Sequence, residues 1–60
     1  MERLLRLREV IERTGLAKST IYRNVKAKMF PQPVKVGMGS SRWRESELAQ
    51  WLASLERRPQ

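Results

Sequence analysis

The sequence predicts a mainly α fold with a small β-hairpin, a winged helix-turn-helix, and three observations predict it. Two stretches with the apolar spacing of a helix face are separated by only Gly15, Leu16 and Ala17, the tight connection of a helix-turn-helix pair. A hairpin pattern follows, in which Val34, Lys35 and Val36 alternate, Gly37-Met38-Gly39-Ser40 turn, and Ser41 to Arg44 return. The third observation is charge. From Arg13 to Arg44 the chain holds eight Lys or Arg residues and no acid, while all six carboxylates lie outside, at Glu2, Glu9, Glu12, Glu45, Glu47 and Glu56. So long an acid-free interior suits a surface that faces a polyanion. A solvated basic face that serves only solubility is the alternative.

Composition narrows the class further. Sixty residues are expected to form one domain, with a formal charge of +7, a pI near 11.2 and 40% hydrophobic content, too apolar for a disordered basic tail. A chain of this size buries only about 60% of the surface its unfolded form exposes, so a stability of roughly a few kcal/mol is expected. Cys and His are absent, which excludes a disulfide and a Cys/His metal site. With them go the commonest acid–base and nucleophilic groups, so no enzyme, cofactor or small-molecule substrate is expected. No apolar run approaches the roughly 20 residues that cross a bilayer, and Arg3 and Arg6 break the start, unlike a signal peptide. The expectation is a soluble cytoplasmic protein, located at the nucleoid when bound to DNA.

Each element has its own signal. Leu4 to Arg6 is a short extended piece expected to pair with something later. Leu7, Val10, Ile11 and Thr14 recur at i, i+3, i+4, i+7 and predict a helix that Gly15 stops. The second helix is expected from about Lys18 to Lys28. Ile21 and Val25 share its core face, Ser19, Arg23, Lys26 and Ala27 lie opposite, Thr20 is at the edge of that face, and Tyr22 sits at the boundary. Ala17 is a poor N-cap, so Ser19 or Thr20 is expected to substitute. Phe30-Pro31-Gln32-Pro33 cannot continue a helix. In the hairpin, Val34, Val36 and Trp43 are expected inward and Lys35, Arg42 and Arg44 outward. A two-stranded hairpin is not stable alone, so it must lie against the helices. Leu48, Trp51, Leu52 and Leu55 predict a last helix over about Glu45 to Arg57. Glu45 and Glu47 start it, Arg57 and Arg58 end it, and Pro59 stops it. Trp43, Trp51 and Phe30 are read as core residues in preference to base-stacking ones.

An α-helix fits the major groove of B-form DNA, and side chains near its start reach base edges. That assigns Lys18, Ser19, Thr20 and Arg23 to base contact, with the Tyr22 hydroxyl reaching outward beside them. Lys26 and Lys28 are better placed for phosphate, which positions without carrying sequence information. The hairpin tip, Gly37 to Ser41, is slim enough to approach a backbone or enter a minor groove, with Lys35 and Arg42 beside it. Ser40, Ser41 and Arg44 complete the candidate set. The two serines have a simpler role as turn residues, and Arg44 has one as an ion-pair partner of Glu47.

These residues also carry a family resemblance. Leu5-Arg6-Leu7-Arg8-Glu9-Val10, Thr14-Gly15-Leu16-Ala17-Lys18-Ser19-Thr20-Ile21-Tyr22-Arg23, Phe30-Pro31-Gln32-Pro33-Val34-Lys35-Val36-Gly37, Trp43-Arg44-Glu45-Ser46-Glu47-Leu48 and Trp51-Leu52 resemble the AlpA-type prophage regulators in order and spacing. The likeness runs from about Leu4 to Leu55 and departs at Ala17, where that family usually has Ser. It implies a MerR-like winged helix that binds double-stranded DNA as a sequence-specific transcriptional regulator of phage or genomic-island type. One alternative is an excisionase-like directionality factor that bends or coats an attachment site. MerR relatives usually dimerise through a long C-terminal helix; this chain ends soon after Leu55, so self-association is expected between neighbours on DNA, or contact with an integrase. An alternative of another class is a small protein-interaction inhibitor that uses Tyr22, Met38 and the basic face. RNA is less favoured, since the hairpin shows no pair of exposed aromatics on which bases could stack.

Overall fold

Six elements follow one another in the computed structural model, which describes residues 2–56: β1 (Leu4–Leu5), α1 (Leu7–Thr14), α2 (Lys18–Lys26), β2 (Val34–Val36), β3 (Ser40–Arg44) and α3 (Glu45–Glu56). β3 is the central strand of a sheet ordered β1-β3-β2, antiparallel throughout. The early extended piece finds its partner there, with Leu4 opposite Arg44 and Leu5 opposite Trp43. No loop separates β3 from α3. The Glu45 amide instead donates to the Arg3 carbonyl at 2.9 Å, so the strand's last pairing and the helix's first turn share one junction. Arg57, Arg58 and Pro59, expected to end the last helix, lie outside the described residues.

Local chemistry sets the two ends of α1. At its start the Arg6 amide donates to the Glu9 carboxylate at 3.0 Å, the return half of a capping box. At its end Gly15 takes φ 73° and donates to the Ile11 carbonyl at 2.8 Å, a left-handed cap that glycine adopts without steric cost. The Thr14 hydroxyl pins the turn to α2 by donating to the Val10 carbonyl and accepting from the Leu16 amide. Leu16 thereby packs against the core.

Two expectations for α2 are corrected. Neither Ser19 nor Thr20 substitutes for a cap at Ala17. Both lie inside the first turn, past the position from which a side-chain oxygen folds back onto the free amides. The helix also ends at Lys26, two residues short of Lys28. Lys28 takes a left-handed φ of 61°, its amide donates to the Val25 carbonyl at 3.1 Å, and the Met29 amide donates to the Asn24 carbonyl at 2.8 Å. That pair of bonds is a Schellman motif. It turns the chain so that Phe30 enters the core, and Gln32 Nε2 holds the turn by donating to the carbonyls of Val25 and Phe30 at 2.9 and 3.3 Å.

Six side chains form the buried core: Leu5, Val10, Ile21, Phe30, Trp43 and Leu48. Each comes from a different segment, and β2 supplies none. Trp43 is fully enclosed, with its indole N–H donating to the Pro31 carbonyl at 3.0 Å. Trp51 is half-buried, edge-on to Phe30 with ring centroids 4.7 Å apart, and its N–H donates to the Met29 carbonyl at 3.1 Å. The two tryptophans therefore clamp the Met29–Pro31 crossing between α2 and the hairpin.

The hairpin register departs from expectation. Val34 lies opposite Arg42, Lys35 opposite Ser41 and Val36 opposite Ser40. Residues directly opposite share a face and successive residues alternate. Lys35, Ser41 and Trp43 therefore lie on one face, and Val34, Val36, Ser40, Arg42 and Arg44 on the other. The cause is turn length. The expected turn through Ser40 would have set Lys35 against Arg42, whereas Gly37-Met38-Gly39 close it in three residues and Ser40 joins the strand. A slip of one residue reverses every side chain.

Candidate nucleic-acid interface

The exposed face of α2 is cationic. Lys18, Ser19, Tyr22, Arg23 and Lys26 are all exposed, while Thr20 is half-buried at the flank beside Asn24. No acid occurs in the helix. With its side chains an α-helix is about 10–12 Å across, a thickness that a major groove about 12 Å wide admits. The tight Gly15–Ala17 turn and buried Ile21 fix this face relative to α1. Lys28, just past the helix, is exposed and held by the Schellman turn.

Tyr22 links this helix to the hairpin. Its ring stands 6.5 Å from that of Trp43, tilted by 51°, so α2 lies on the Trp43 face of the sheet. Lys35, exposed, and Ser41, half-buried, are on that same side. Arg42, Arg44 and Ser40 belong to the opposite face. Arg42 is half-buried, and its Nη1 donates to the Ser41 carbonyl at 2.9 Å. Arg44 is exposed and forms no ion pair with Glu47. The twelve candidate residues are thus divided: seven lie on α2 or just past it, Lys35 and Ser41 share the sheet face on which α2 lies, and Ser40, Arg42 and Arg44 are on the opposite face.

Among the described residues the ion pairs are Arg3–Glu9 at 2.6 Å and Arg13–Glu45 at 2.7 Å. The second removes Arg13 from the free cations. An interval without acids in sequence therefore acquires one in space, at its Arg13 end, and a pair separated by 32 positions leaves no local signal. Glu9 is held below the ordinary carboxylate range, first by the Arg6 amide and then by the charge of Arg3, with partial desolvation opposing both. Gln32 was also missed by sequence reasoning; its amide holds the end of α2 by donating to the Val25 and Phe30 carbonyls. No cluster of metal-ligating side chains and no helix long and apolar enough to cross a membrane occurs among the described residues.

Comparison with known proteins agrees with this architecture. The family described as "Prophage CP4-57 regulatory protein (AlpA)" matches residues 3–57. The chain belongs to the AlpA family. A curated AlpA relative, the DNA-binding transcriptional activator AlpA of Escherichia coli (strain K12), is 39% identical over 57 residues, covering 85% of this chain and 81% of the relative. A second, the uncharacterized protein ORF88 of Enterobacteria phage P4, is 40% identical over 52 residues, covering 87% of this chain. The chain spans 59% of that phage protein's length. No solved structure matches significantly. The AlpA match and the three helices around a three-stranded antiparallel sheet agree on the winged helix-turn-helix.

Proposed function

We propose that this AlpA-family chain is a sequence-specific double-stranded DNA-binding regulator of transcription, of prophage or genomic-island type. The observation that carries the proposal is the outer face of α2, where Lys18, Ser19, Arg23 and Lys26 are exposed on a helix without acids. α2 enters the major groove; Lys18, Ser19, Thr20 and Arg23 meet base edges, Lys26 and Lys28 meet phosphates, and the hairpin flanks the groove as a wing. The protein acts by binding, not catalysis, in the compartment that holds the DNA. The E. coli relative's name, a DNA-binding transcriptional activator, supports the same role.

Selection of bound sequences from a random duplex pool, in the presence of competitor DNA, tests this directly. One discrete enriched site is expected. Arg23→Ala should then weaken that site by about 1 to 3 kcal/mol more than random DNA, whereas Lys26→Ala should weaken both about equally. A pool that emerges unenriched removes sequence specificity. Cooperative filling of several adjacent sites would instead mark the excisionase-like role, with self-association on DNA or contact with an integrase.

A further inference from the structure

Met38 is wholly exposed, at 101% of its reference area, whereas the other exposed large apolar side chains among the described residues keep part of their surface covered. It stands alone at the hairpin tip. Gly37 and Gly39 flank it with φ of 67° and 83°, and nothing lies within 4 Å of where a side chain would project from either. Conformation, not space, therefore favours glycine at both positions. The result is a three-residue tip whose only side chain is a long, unbranched apolar one.

We infer that the wing carries a wedge: Met38 enters the minor groove, inserts between two base pairs and kinks the duplex. The inference rests on the proposed DNA binding and adds a DNA-bending activity to it. Three features support it. A minor groove about 6 Å wide admits a tip flanked by residues without side chains and resists a broader one. Methionine is flexible enough to slide into a partly opened step, and apolar wedges of this kind are an established means of unstacking base pairs. The approach is also favourable electrostatically, since Lys35 and Arg42 follow the tip on its two strands and no acid lies between them. The step entered is expected to be a flexible pyrimidine–purine one, where unstacking costs least.

The test uses the full chain on its selected site, with fluorophores at the duplex ends and 2-aminopurine at successive steps. The parent should shorten the end-to-end distance and brighten one step. Met38→Ala should melt as the parent does, keep the salt dependence of binding, lose most of the bend and bind about tenfold more weakly, the lost wedge being uncharged and outside the core. Met38→Leu should retain the bend, and a mismatch at the entered step should restore Met38→Ala binding to within about threefold. A bend unchanged by Met38→Ala overturns the inference, as does a parent complex with straight DNA; both leave DNA binding standing. A parent that binds no duplex overturns the DNA-binding proposal and this inference with it.

Discussion

Lys28 shows how a single backbone torsion can matter more than the charge that draws attention to a residue. A left-handed conformation costs an L-residue about 1–2 kcal/mol, and the chain accepts it because the two Schellman bonds and burial of Phe30 determine the turn. Lys28→Gly should therefore raise the unfolding free energy by about 0.5 kcal/mol, the relief of strain being partly offset by glycine's freedom in the unfolded chain. Lys28→Ala removes the same charge without relieving the torsion and should leave stability nearly unchanged. If the lysine meets a phosphate, both variants should flatten the salt dependence of duplex binding by about one unit. Denaturant melts of the two variants beside the parent check the first expectation; equal stabilities would show that the torsion is not held. In the sequence Lys28 reads as a further helical lysine, because the αL geometry is dictated by what Phe30 must reach, not by any preference of lysine.

At the scale of elements, most of the architecture was legible because it is carried by short-range patterns. The i, i+3, i+4, i+7 spacing of Leu7, Val10, Ile11 and Thr14 located α1, Gly15 located its end, and the weaker signal of Leu4 and Leu5 proved to be an edge strand. The hairpin was recognisable, but its faces were not, since they depend on whether Ser40 belongs to the turn or the strand. Two glycines at positive φ tipped that choice toward a three-residue turn and moved Lys35 and Arg42 to opposite faces. Their contributions to binding should differ for that reason. Lys35→Ala, on the face that α2 occupies, should weaken duplex binding by about threefold to tenfold and flatten the salt slope by about one. Arg42→Ala should have the smaller effect on affinity, because its side chain is on the opposite face and its guanidinium donates to the carbonyl of the adjacent Ser41. Both variants should melt close to the parent, since charges outside an ion pair contribute little to folding. Titrations of one duplex at several salt concentrations make the comparison. Equal losses would mean that the wing presents its edge, not one face, to DNA.

Over the whole molecule, core and charge are organised separately, and this division makes the electrostatic proposal testable. Leu5, Val10, Ile21, Phe30, Trp43 and Leu48 bring six segments to one center, so folding depends on apolar burial at that point. α2 itself holds no carboxylate, and two of those elsewhere are engaged: Glu9 by Arg3 and the start of α1, and Glu45 by Arg13. Lys18, Arg23, Lys26, Lys28, Lys35 and Arg44 are left exposed and outside any ion pair among the described residues. If four to six cations neutralise phosphates, each releases counterions from the duplex, and log K against log salt should fall with a slope of roughly −4 to −5. The slope should be the same on the selected site and on random DNA apart from contacts made only at the selected site, because phosphates are common to both. Folding should respond far less to the same salt range, since the two ion pairs among the described residues are at the surface and such pairs contribute about 0–1 kcal/mol each. Binding isotherms and thermal melts over one salt series separate the two effects. A slope near zero would show that the basic surface is solvated and meets no polyanion, even though the fold around its apolar center is intact.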